Sequence, residues 1–239
     1  MPDESPTQPH IDHVYDRISA RAEAVFADGR VVTDPYLLDR TADTRIGLSV
    51  VARPVGAVRD RLGDLAVELH ELEPDQHRYA NGELHVTVIN LLPVVEPGEN
   101  TADLIAAFAR LTRKAVTACA PFAIRFSGIL LASDCVIARG YPVGPGLEEL
   151  RNRLRSEFRA AGLGHLIERE YKHVTAHSTV FRFRYQLKDL PQFRARVAAL
   201  ADIDLGRCEV ATIRLVEHDW YHTSSRMTVV GEFDLVQPG

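Results

Sequence analysis

The chain has 239 residues, of which 46% are hydrophobic and 26% charged, and it carries a formal net charge of −5 at pH 7. That length can bury a large core and suits one large domain or two small lobes. The acidic balance argues against a surface that coats nucleic acid broadly, which needs a basic field, but admits a small phosphate ester or a single RNA end.

Of the 28 basic residues only Lys114, Lys172 and Lys188 are lysine. Arginine suits bidentate phosphate contacts, yet a compositional bias explains the excess as well. Cys119, Cys135 and Cys208 form an odd set without C-x-x-C spacing, so they read as reduced core residues, and neither zinc nor a disulfide framework is expected. Residues 1–10 are polar and proline-rich, and no run approaches 18 apolar residues. Export and membrane insertion are therefore not expected, and the expected compartment is the cytoplasm.

In chain order, residues 1–10 read as disordered, and residues 11–28 carry Ile11, Val14, Ile18, Val25 and Phe26 at helical spacing. A loop with Asp34-Pro35 follows, so residues 1–44 form an N-terminal extension ahead of the main domain, residues 45–236. The domain opens with a strand at 46–53 and a helix over 55–72 that puts Val58, Leu62, Leu65 and Leu69 on one face. A strand holding His85 comes next, then a helix over 102–119 that Pro121 ends. Strands at 122–130 and 135–141 form a pair.

The second of these opens a repeat of the same order. A helix over 147–160 presents Leu147, Leu150, Leu154 and Phe158, a strand holds His173, and a short helix follows with Asp189 as cap and Pro191 in its first turn. The chain closes with strands near 207–216 and 226–235. The match of helices and strands indicates an internal duplication, with lobes at 45–134 and 135–236 and strand exchange between them left open. The expected fold class is α+β: a duplicated bilobal fold of two mostly antiparallel sheets backed by helices, with a cleft between the lobes.

Each copy of the repeat carries the tripeptide His-Val-Thr at the same place, as His85-Val86-Thr87 and His173-Val174-Thr175. Along a strand side chains alternate, so His85 and Thr87 share one face and His173 and Thr175 another, while the valines anchor the core. Two imidazoles meeting in one cleft can act as general base and general acid, and each hydroxyl can hydrogen-bond a phosphate oxygen. A plainer reading is that His-Val-Thr merely suits a strand, with each histidine a satisfied buried residue.

On these motifs the chain resembles the two-histidine (2H) phosphoesterase superfamily, which includes bacterial enzymes known as 2′-5′ RNA ligases and RNA 2′,3′-cyclic phosphodiesterases. The resemblance covers roughly residues 45–236. Segments such as Asp34-Pro35-Tyr36-Leu37 and Glu73-Pro74-Asp75-Gln76 suggest a less characterised bacterial branch. It implies His85 and His173 as catalytic residues, Thr87 and Thr175 as phosphate ligands, and a nucleotide or RNA-end phosphodiester as substrate. It also implies metal-free hydrolysis without a cofactor. His173 is taken as base and His85 as acid, an order the sequence leaves open. A noncatalytic RNA-end or nucleotide-binding module of the same fold is the alternative, and the sequence names no protein partner.

Tyr171 and His177 share the parity of His173 and Thr175, so both are candidates for substrate contact, although each is also an ordinary strand residue. Arg182 has the opposite parity and is set aside. His173 and His177 are too far apart along a strand to share one ion, about 13 Å at roughly 3.3 Å per residue. His218 and His222 flank Trp220 in an expected surface turn, with no third metal ligand in view. No Gly-x-Gly-x-x-Gly, phosphate-binding P-loop or Gly-x-Ser-x-Gly pattern is present.

Overall fold

The computed structural model describes residues 7–96, 98 and 101–236. Two sheets carry the fold, and all their strand pairs are antiparallel. The strands are β1 (Ile46–Ala52), β2 (His77–Arg78), β3 (Val86–Val95), β4 (Phe122–Leu131), β5 (Cys135–Val143), β6 (Ser178–Arg182), β7 (Asp204–Val210), β8 (Thr212–His218) and β9 (Thr228–Asp234). One sheet has the order β3-β1-β8-β9 and the other β2-β6-β5-β4-β7. In each, the strand that opens a repeat pairs with the strand that carries or follows its motif, β1 with β3 and β5 with β6. Both sheets draw on both halves of the chain: β4 lies beside β5, and β8 lies beside β1.

The helices are α1 (Gln8–Phe26), α2 (Gly56–Leu72), α3 (Ala102–Val116), α4 (Gly146–Ala160) and α5 (Leu190–Ala199). The apolar stripes expected of α2 and α4 are buried throughout: Val58, Leu62, Leu65 and Leu69, and Leu147, Leu150, Leu154 and Phe158. Burying each such side chain contributes about 1.5–3 kcal/mol. Asp189 caps α5 by accepting a hydrogen bond from the Gln192 N–H at 2.8 Å, and Thr101 does the same for Leu104 at the start of α3. α4 packs on α3 and touches β3, β4 and β5, which places it against both sheets.

Several sequence expectations change. α1 begins at Gln8, so the disordered start expected over residues 1–10 is already helical from there; residues 1–6 lie outside the described residues. The stretch expected as one strand near 207–216 is two strands, β7 and β8, which break at Ala211 and enter different sheets. The segment 171–177, which holds the second motif, is not in a strand; ladder pairing starts only at Ser178. The three cysteines are buried and free, as expected. Among the described residues no helix is long and apolar enough to cross a membrane.

Candidate active site

His85 sits immediately before β3, with Leu84, Val86 and Val88 buried and His85 and Thr87 partly exposed. This is the alternation a strand imposes. The His85 Nδ1 lies 2.8 Å from the Glu83 carbonyl oxygen, so Nδ1 carries the proton and donates, leaving the lone pair on Nε2. Burial pushes its pKa from 6.5 down to about 3 against the opposing pull of the Glu83 carbonyl, with smaller lowering from His218, Arg53 and His177. The ring is neutral at physiological pH.

One face of the His85 ring is covered by His222, stacked with centroids 3.6 Å apart, and His222 is in turn stacked on His218 at 3.6 Å. His218 is fixed edge-on: its Nδ1 donates to the Asp219 carbonyl at 2.8 Å, and its Nε2 lies 2.8 Å from Ser49 Oγ. Ser49 Oγ also bonds the Asn90 side chain at 2.8 Å. Asp219 is fully buried and folds the turn around itself, accepting from the Tyr221 and Thr223 N–H groups and pairing with Arg40. The surface turn expected at His218–His222 is therefore a buried one, because the carboxylate of Asp219 satisfies its backbone from inside. These stacked rings lie face to face. Among the described residues no group of three or more His, Cys, Asp or Glu side chains is placed to hold a metal ion.

The second motif is held differently. Its segment lies close against β5, and a Cβ on Gly140 would come within 2.0 Å of the Ala176 carbonyl oxygen, so only glycine admits this approach. His173 and Thr175 are buried while Val174 is half-buried, the reverse of the expected pattern, because the segment is not pleated into a sheet. The Glu168 carboxylate accepts the His173 N–H at 2.7 Å and lies 3.4 Å from His173 Nδ1. Burial opposes the charge on Glu168, but hydrogen bonds from His173 and Arg155 prevail and hold its pKa at about 2. For His173 itself burial lowers the pKa and Glu168 raises it, with a net fall.

Thr175 Oγ1 is 2.9 Å from His177 Nδ1. Tyr15 belongs to α1 and bridges the Gly140 N–H and C=O, at 3.0 and 2.9 Å. α1 thus reaches β5, the strand against which the motif segment lies. Tyr171 is exposed, its ring 4.8 Å from that of His173. Arg182 is buried and paired with Asp134 at 2.6 Å.

What brings the two motifs together is α4. Arg151, fully buried, donates from Nε to the Val88 carbonyl at 2.9 Å and from Nη2 to the Thr87 and Thr175 carbonyls at 3.3 and 2.6 Å. One guanidinium therefore ties both His-Val-Thr segments. Arg155, one turn on, binds both Glu168 oxygens and the His173 carbonyl. His177 lies within electrostatic range of both motif histidines. Cavities of about 550 and 470 Å³ open between α1 and α5 and beside Arg53, and neither is lined by a motif histidine.

Sequence reasoning passed over Tyr15, Ser49, Arg151, Arg155 and Glu168, and it read His218 and His222 as surface residues. For the arginines a signal existed: at 151 and 155 they fall on the helical face that carries Leu147, Leu154 and Phe158, where an arginine must find partners.

No family model matches the chain, and no curated protein matches it. Solved structures share its fold. The Thermus thermophilus protein TT0787 is similar over 82% of this chain and all of its own, at 16% identity and a TM-score of 0.61. Escherichia coli LigT, in its complex with 3′-AMP, is similar over 81% of this chain and 99% of its own, at 18% identity and a TM-score of 0.55. A protein described as a phosphoesterase is similar over the same shares, at 20% identity and a TM-score of 0.56. The chain has the duplicated α+β fold of these proteins.

Proposed function

We propose that the chain is a two-histidine phosphoesterase that hydrolyses a nucleotide-type phosphodiester, a 2′,3′-cyclic phosphate or a 2′-5′ linkage, by general acid–base catalysis without a metal. The observation that carries this reading is the pair of duplicated His-Val-Thr segments tied to one buried guanidinium. The likeness in fold to a phosphoesterase and to LigT, which has been solved with 3′-AMP, ATP and NADP+, supports a nucleotide as substrate.

The environments of the two rings favour opposite roles. His85 is neutral, the state a base requires, and its Nδ1 is committed to the Glu83 carbonyl, which leaves Nε2 as the acceptor. His173 is the ring in contact with an anion that would stabilise its protonated form, the state an acid requires. This reverses the order taken from sequence. In the proposed step His85 Nε2 takes a proton from water as the water oxygen bonds to phosphorus. The bond from phosphorus to the leaving ribose oxygen breaks, and His173 gives that oxygen its proton. The phosphate anion supplies negative charge near His173 and so raises the affinity of that ring for the proton it must donate. The Thr87 hydroxyl, and that of Thr175 once turned from His177, would hold phosphate oxygens. Tyr171, exposed beside the His173 ring, would meet a base or ribose.

The test is turnover of a 2′,3′-cyclic mononucleotide in EDTA. His85→Ala and His173→Ala should each slow it by about 10²–10⁴-fold, and the double variant should lose far less than the product, because the pair acts as a unit. Thr87→Ala and Thr175→Ala should cost about 1–3 kcal/mol of transition-state stabilisation. Near-normal turnover in a folded histidine variant would refute the reading. Tight nucleotide binding without turnover in the unaltered protein would favour the binding module.

A further inference from the structure

Among the described residues, two that are not glycine have positive φ: Glu168 at 48° and His222 at 53°. L side chains are disfavoured in this region, and such residues persist where the surroundings over-determine them. Each of the two supports a different motif histidine. Glu168 reaches His173 from below through its carboxylate, and His222 covers the ring face of His85.

We propose that Glu168 and His222 are the positioning residues of the two motif imidazoles, each fixing the orientation of its histidine and setting its proton affinity while touching no substrate. The inference rests on the acid–base reading above. Both residues are themselves locked in place. The Glu168 N–H donates to the Asn90 carbonyl at 3.0 Å, and its carboxylate is gripped by Arg155 at 2.8 and 2.9 Å. The His222 N–H donates to the Asp219 carbonyl at 3.2 Å, and its ring is sandwiched between His85 and His218. Asn90 joins the two supports: its carbonyl holds Glu168, and its side chain holds Ser49, which holds His218.

The supports differ in the property that acid–base catalysis requires. His85 faces His218, His222, His177 and the Arg53 guanidinium, a neutral and cationic set that disfavours its protonation. His173 faces Arg151, Arg155 and His177, with Glu168 as the one anion in contact among the described residues. Removing the anion should weaken the acid; removing the stacked ring should wet the base.

The experiment titrates the histidine ring signals of the full chain by NMR without substrate, then measures turnover of 2′,3′-cyclic AMP. Glu168→Gln keeps an acceptor for the His173 N–H but removes the charge, and should lower the proton affinity of His173 by about tenfold or more, leaving His85 unchanged. His222→Asn tolerates the left-handed backbone but removes the ring, and should raise the proton affinity of His85 and leave His173 unchanged. His222→Phe, which restores a stacked face, should return His85 towards its original value. In both loss variants kcat should fall with KM within about threefold, as expected for residues acting on the transition state through others.

The proposal is overturned if either loss variant leaves its own histidine unmoved, or if both histidines shift alike. Should a variant fail to fold, the unaltered protein still decides: His85 binding its proton more tightly than His173 would overturn it. Expected titrations without any turnover of the cyclic nucleotide would sink the phosphodiesterase reading and leave the positioning roles standing.

Discussion

Replacing Arg151 with methionine tests whether one buried cation sets the distance between the motifs. The side chain is fully buried and makes three hydrogen bonds to main-chain carbonyls, at 2.9, 3.3 and 2.6 Å. Bonds to a charged donor contribute about 1.5–3 kcal/mol each, roughly 4.5–9 in all. Against this stands the cost of burying the charge, which pulls the pKa from 12.5 to about 10, or about 3 kcal/mol at 1.36 kcal/mol per pKa unit. Glu148 keeps its 2.7 Å bond to Arg155 through Oε1, while its Oε2 loses the 3.6 Å contact with Arg151. The net loss is then roughly 1.5–6 kcal/mol, which lowers a urea midpoint by about 0.5–2 M for a slope near 3 kcal/mol/M. Turnover should fall further than stability requires, because a displacement of about 1 Å between acid and base can cost 10²-fold. A variant with an unchanged midpoint and unchanged turnover would refute the clamp.

Stability should also depend on pH in a window set by histidines whose proton affinity the fold lowers. Burial holds His77, His177 and His218 near 4 and His85 near 3, against 6.5 in the unfolded chain. The unfolded state therefore binds more protons between those values, and stability is lost as pH falls from about 6.5 towards 4. A thermal midpoint that stays flat between pH 7 and 5 would contradict this. Glu168, depressed from 4.5 to about 2, adds a further loss from about pH 4.5 downward. Tyr15→Phe leaves the buried Gly140 amide and carbonyl without their hydroxyl partner and should cost about 1–3 kcal/mol in urea unfolding; a change within about 0.5 kcal/mol would mean that α1 is only loosely docked.

The repeat was legible because periodicity reports burial directly. The stripes of α2 and α4 and the alternation at Leu84, Val86 and Val88 correspond to buried residues one for one. The site's supports were not legible, because they depend on which strands become neighbours. Ser49 and His218 are 169 positions apart and meet only because β8 returns to pair with β1. Glu168 lies on an irregular segment whose backbone conformation no pattern of apolar residues specifies. The second motif misled for a related reason: Val and Thr favour a strand by composition, but the ladder position beside β5 is taken by residues from Ser178 onward.

Duplication gives two equivalent histidines, and equivalence is a handicap for acid–base chemistry, which needs one ring to hold a proton while the other lacks it. In this chain the repeats diverge around the motifs and not within them. Both keep His-Val-Thr and both contact Arg151, but one histidine lies beside the carboxylate of Glu168 and the other against the neutral ring of His222. The divergence is carried by Glu168 and His222, the two non-glycine residues with positive φ among the described residues. Arg151 ties the two motif segments together, and an asymmetric pair of supports lets their rings differ. It follows that exchanging the two motif tripeptides, which are identical, would change nothing, whereas neutralising Glu168 should remove the difference in proton affinity on which the proposed reaction depends.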